Sequence, residues 1–92
     1  MQVKRFKQYE MIEVSWIDIV ERSGWRTVKE AAEEDCIGIV SVGYFIANRK
    51  GTLNIASCVS RDNDCNVTSI PWGVIKQVRR LTYKEEPVDG EC

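Results

Sequence analysis

The sequence predicts a small mainly-β domain, a barrel of about five strands with one short helix after the first strand. Two observations carry this. Several stretches alternate apolar and polar residues at the two-residue period of a half-buried strand, with turn-forming clusters between them. Only one brief stretch shows helical spacing under a helix-start signal. A chain of 92 residues rarely divides into two stable cores, so one core is expected. Its 43% hydrophobic and 29% charged content place it with folded chains rather than disordered ones.

Residues 1–9 are polar and basic, with Lys4, Arg5 and Lys7, and read as a lead-in or a short edge strand. From Glu10 the run EMIEVSWIDI sets Ile12, Val14 and Trp16 against Glu13 and Ser15, a half-buried strand. ERSGWR turns around Gly24. Thr27 then stands three residues before Glu30, a capping-box pattern that predicts a short helix with Val28, Ala31 and Ala32 as a narrow apolar stripe and Glu30, Glu33, Glu34 and Asp35 in water. Cys36 to Ala47 is apolar on both faces and reads as a long strand, buried on both sides or bent around Gly43. NRKG, Asn48 to Gly51, is a turn, and TLNIASCVS alternates as the partner strand of a hairpin. After the polar loop RDNDCN, NVTSI is a short strand stopped by Pro71, whose missing N–H cannot serve a central ladder.

SIPWGVIKQVRRL, Ser69 to Leu81, allows two readings. A helix from Pro71 would align Val74, Ile75, Val78 and Leu81, but Trp72-Gly73-Val74-Ile75 is poor helix material. The favoured reading is a tight turn over Pro71 to Ile75 followed by a last strand, Lys76 to Tyr83, whose alternation puts Lys76 and Arg80 on one side and Arg79 on the other. The domain is then 10–82, between the lead-in 1–9 and an acidic, disordered tail 83–92. That tail holds Lys84 against Glu85, Glu86, Asp89 and Glu91, leaving a mildly basic body of twelve cations and ten anions. Such a body suits an anionic ligand but lacks the basic stripe of a dedicated nucleic-acid binder.

The ending Ile70-Pro71-Trp72-Gly73-Val74-Ile75 is similar to the closing segment of SH3-like and Sm-like barrels, where a short strand reaches a single 3₁₀ turn and a final strand. More of the chain, roughly Glu13 to Leu81, resembles a group of short uncharacterised phage proteins through VSWID (Val14 to Asp18), SGW (Ser23 to Trp25), SVGYFI (Ser41 to Ile46), IAS (Ile55 to Ser57) and the strand ending Arg79-Arg80-Leu81. The resemblance implies a phage origin and a small barrel, hence the cytoplasm of an infected bacterium; it transfers no site. No apolar run approaches the roughly 18 to 20 residues needed to span a bilayer, and no membrane partner is expected.

The chain has no histidine, which removes the commonest general base near neutral pH and the usual zinc ligand. Cys36, Cys58, Cys65 and Cys92 form no C-x-x-C pair and read as plain thiols rather than disulfides or metal ligands. Neither Glu33-Glu34 nor Glu85-Glu86 looks like an acid and base held across a cleft, and there is no phosphate-binding glycine loop. The expectation is a protein without catalytic activity, cofactor or metal.

Binding has more material. A phosphate-bearing ligand with a flat ring needs aromatic surface and cations, and the candidates are Trp25, Arg26, Tyr44, Arg61, Trp72, Lys76 and Arg79. Trp25 and Arg26, before a helix N-terminus, lead this set, against the alternative of a surface staple. Trp16 reads as core. Trp72 either plugs one end of the barrel or stands exposed as a contact. The expected function is sequestration of a phosphate-bearing small molecule, such as a cyclic-nucleotide or ADP-ribose-type immune signal of the host, by a homo-oligomer. A protein-interaction module with an aromatic groove at Trp72 and Tyr44, or weak nucleic-acid binding, are the alternatives.

Overall fold

The computed structural model describes residues 5–83 and 85. Five strands form one antiparallel sheet: β1 (Met11–Asp18), β2 (Ile37–Arg49), β3 (Thr52–Ala56), β4 (Thr68–Pro71) and β5 (Ile75–Arg80), in the spatial order β4-β3-β2-β1-β5. One helix, α1 (Val28–Ala32), lies between β1 and β2, and a 3₁₀ turn, Trp72–Val74, joins β4 to β5. The mainly-β prediction with a short helix after the first strand holds. The closed barrel does not, because β4 and β5 form the two edges of an open sheet and do not pair.

Alternation builds the core. Ile12 and Val14 of β1, Phe45 of β2, Leu53 and Ile55 of β3, Ile70 of β4 and Ile75 of β5 are buried on one face, with Phe6, Trp16, Trp72, Val74 and Val78 packed around them. Trp16 joins this core as expected, its Nε1–H donating to Ser41 Oγ at 3.0 Å, so the strand serine satisfies the indole. The lead-in is tied to the same core: Phe6 stacks obliquely on Phe45 with centroids 5.5 Å apart, and Tyr9 N–H donates to Phe45 O at 2.8 Å.

The hairpin turn is set by two left-handed residues, Lys50 (φ 52°) and Gly51 (φ 75°), between the paired Arg49 and Thr52. Two consecutive positive φ values match the right-handed twist of the flanking strands. Gly43 is required for a different reason: a Cβ there would sit 2.8 Å from Ala56 O. It marks where β2 exchanges neighbours, since Ile37 to Tyr44 pair with β1 and Tyr44 to Arg49 pair with β3.

Several boundaries differ from the sequence reading. β3 ends at Ala56 rather than running to Ser60, because Asn66 Oδ1 accepts both Ser57 N–H (2.9 Å) and Cys58 N–H (3.0 Å) and turns the chain away from β2. Those N–H groups would otherwise continue the ladder. The final strand starts at Ile75 and ends at Arg80, and its alternation is broken. Ser15 pairs with Gln77 and Trp16 with Ile75, so Lys76 is the extra residue of a β-bulge and does not share a side with Arg80 by simple alternation. Among the described residues the apolar stripe of α1 is left uncovered: Val28 is 87% exposed, and no residue of the helix is buried. The predicted tail lies almost wholly outside the described residues.

Candidate functional site

The connector from Ile19 to Cys36 leaves the sheet after Asp18, whose Oδ1 accepts Ile19 N–H at 2.9 Å. Gly24 (φ 103°) turns it back, and the Thr27 half of the predicted capping box forms: Glu30 N–H donates to Thr27 Oγ1 at 3.1 Å, while Glu30 Oε1 accepts from the Thr27 hydroxyl at 3.0 Å rather than from the Thr27 N–H. This corrects the expectation that the helix N-terminus offers itself to an anion. Thr27 Oγ1 already accepts the Glu30 N–H, the Glu30 carboxylate lies against the same hydroxyl, and the helix has only five residues.

What the connector does build is an arginine pair. Arg26 Nε lies 2.9 Å from Glu34 Oε1 and Arg22 Nε 3.3 Å from Glu34 Oε2, so one carboxylate is held by two guanidinium groups, one on each oxygen. Arg22 Nη2 also donates to Asp35 O at 2.9 Å, fastening the start of the connector to its end. Arg22, Gly24, Trp25, Arg26, Ala31 and Glu34 line an open cleft of about 340 Å³, at the small end of the range for ligand pockets. Trp25 is fully exposed, at 103%. Two guanidinium groups thus share one carboxylate beside an exposed indole, in a connector whose other charges are Lys29 against Glu21, Glu30, Glu33 and Asp35. Exposed ion pairs of this kind are weak, and an incoming anion competes directly with Glu34 for the guanidinium groups.

The other candidates are dispersed. Trp72 plugs the sheet corner: its backbone N–H donates to Gly51 O at 2.9 Å, its Nε1–H donates to Asn48 Oδ1 at 2.6 Å, and its ring packs against the core. Tyr44 lies between Gly43 and Phe45, both buried on the core face, and so stands on the opposite face of β2. Trp72 and Tyr44 therefore share no groove; Tyr44 instead lines a shallow cleft of about 120 Å³ with Tyr9 and Val59. Arg79 is engaged by Glu13 directly across the β1–β5 ladder, with Nη2 2.6 Å from Oε1. Arg80 pairs with Glu10 on the other face and lies 5.2 Å from the Phe6 ring centroid. The predicted separation of Arg79 from Arg80 thus holds. Arg61 is exposed in the β3–β4 loop and Lys76 at the bulge.

The cleft brings together Trp25 and Arg26 of the predicted set and adds Arg22 and Glu34, which the sequence reading did not select. The available signal was charge: Arg22 and Arg26 bracket a glycine turn, and an acidic run follows within reach. Among the described residues no three His, Cys, Asp or Glu side chains come together as a metal site, and no helix is long and apolar enough to cross a membrane. No family model, curated protein or solved structure matches the chain.

Proposed function

We propose that this is a non-catalytic, phage-type binding protein that sequesters a phosphate-bearing small molecule with a flat ring, a cyclic-nucleotide or ADP-ribose-type immune signal of the infected host being the class it suits. The observation that carries the reading is the cleft of Trp25, Arg22 and Arg26 around Glu34. It offers an exposed indole face for a base and two guanidinium groups for phosphate oxygens, with a single carboxylate to displace. The strand order β4-β3-β2-β1-β5 with a 3₁₀ turn between β4 and β5 supports an SH3-like arrangement, opened between its first and last sheet neighbours.

Isothermal titration against cyclic dinucleotides and cyclic ADP-ribose-type compounds is the test. Micromolar or tighter binding that is lost in Trp25→Ala and in Arg26→Ala is expected, whereas Glu34→Gln, which releases both arginines, should bind phosphate more tightly. Silence across the panel with micromolar protein would sink the reading. A protein-interaction role has one observation in its favour, the Tyr9–Tyr44–Val59 cleft, and predicts a stoichiometric polypeptide partner whose capture fails in Tyr44→Ala.

A further inference from the structure

We infer that the chain pairs with a second copy of itself along the open edge of β2, Gly38 to Val42, as a twofold antiparallel ladder centred on Val40. Backbone directions on β2 set out the edge. Phe45 N–H donates to Glu10 O at 2.7 Å and Phe45 O accepts from Tyr9 N–H, so both polar groups of Phe45 face the β1 side. These directions alternate along a strand, so Gly43, Ser41 and Ile39 also serve β1, while Tyr44, Val42, Val40 and Gly38 face the other way. Tyr44 is met there by Ala56. Among the described residues no strand lies opposite Val42, Val40 or Gly38, because Asn66 has turned the chain away at Ser57 and Cys58.

Soluble proteins blunt such an edge with charge, proline or a bulge, and GIVSV has none of these. Its side chains are correspondingly bare, with Val40 63% and Val42 51% exposed. The occupant that fits is a second copy. An antiparallel twofold about Val40 faces Val40 with its own counterpart and Gly38 with Val42, so all three free residues exchange both backbone bonds, and the missing side chain of Gly38 leaves room for Val42. No charge occurs between Cys36 and Ala47, so self-pairing sets no like charges opposite each other.

The exposed area agrees. A folded 10.6 kDa monomer exposes about 5,500 Å², and this chain exposes 7995 Å². Setting aside about 2,000 Å² for the twelve residues outside the described set, at the full solvated-chain value, leaves about 6,000 Å² against about 4,900 Å² expected for the remaining roughly 9.2 kDa, an excess of about 1,000 Å². A standard interface buries roughly 800 Å² per partner. This inference does not rest on the ligand reading, and its test uses no ligand.

Sedimentation velocity at micromolar concentration should give a dimer for the wild type and a monomer for Val40→Lys, which sets two ammonium groups against each other across the axis. Val40→Cys, in a background with all four native cysteines changed to serine, should cross-link to a covalent dimer with a short bismaleimide, because the two thiols face each other across a hydrogen-bonded pair whose Cα atoms lie about 5.5 Å apart. That arm decides the matter if Val40→Lys does not fold. A monomeric wild type overturns the inference; slowly exchanging Val40 and Val42 amides would then assign the edge to another segment of the same chain, and fast exchange would leave it open. A dimer that survives Val40→Lys, or a folded Val40→Cys variant that does not cross-link, overturns it as well.

Discussion

β2 is one strand in two environments. From Tyr44 to Arg49 it pairs with β3, and Tyr44 and Phe45 also meet β1 and the lead-in on the other side, with Phe45 in the core; from Ile37 to Gly43, among the described residues, it has β1 alone. Beyond that second half hang the connector and α1, in which every residue from Glu21 to Gly38 is exposed. Apolar residues of one strand thus differ in burial, Phe45 being in the core while Val40 and Val42 are more than half exposed. Hydrophobicity alone therefore does not decide burial here. What decides it is whether the chain supplies a neighbour, and Asn66 withholds one by ending β3 at Ala56.

The largest effect that sharpens this contrast should come from the packed half. Leu53 is fully buried against that half, and Leu53→Ala should cost about 3 kcal/mol through lost transfer energy and a residual cavity. Val42→Ala, on the bare half, should change monomer stability by less than about 0.5 kcal/mol. Urea unfolding at a concentration low enough to populate the monomer compares the two. Similar losses at both positions would break the distinction.

Gly43→Ala probes the point where the halves meet. The new Cβ would lie 2.8 Å from a backbone oxygen of β3, which has no flexible end to move aside. Separation of β2 from β3 at Ala56 is expected, with a loss of about 2 kcal/mol. Exchange of amides in β3 should speed up more than exchange of those in β1 and β5. Uniform loosening would mean that Gly43 is not the hinge of the two environments.

This contrast also explains what could be read from the sequence. Period-2 alternation identified β1, Thr27 and Glu30 announced the cap, and Pro71-Trp72 announced the corner, because each depends on residues close together in the chain. The core residues Ile12, Val14, Leu53 and Ile55 followed from the same alternation. Less legible were features set by distant partners. Asn66 ends β3 from nine residues away, the bulge at Lys76 arises in the pairing with β1, and Glu34 meets Arg22 across the whole connector. The strand Cys36 to Ala47 allows burial on both sides or a bend at Gly43, and its composition leaves the two open because it reports affinity for a neighbour and not whether the neighbour is there. At the candidate site, Trp25 and Arg26 were visible as residue types, while the pairing of Arg26 with Glu34 needed the fold.

The smallest expected effect lies at the packed half's other seam, where the lead-in meets β1. Lys7 N–H donates to Glu10 Oε1 at 3.1 Å and Arg80 lies against the same carboxylate. The Lys7 backbone bond chiefly, opposed by partial desolvation and then assisted by Arg80, holds the Glu10 carboxyl below its ordinary range. A native pKa below the unfolded one adds stability at pH values above the ordinary carboxylate pKa, and that stability fades as pH falls through the lowered native value. Glu10→Gln should therefore be slightly less stable than wild type near neutrality, and the difference should close as pH falls through the lowered native value. Thermal unfolding midpoints across that range test it. A gap independent of pH would assign Glu10 a purely steric role, whereas a closing gap would show that charge, as well as Phe6 on Phe45, anchors the lead-in to the half of β2 that has neighbours on both sides.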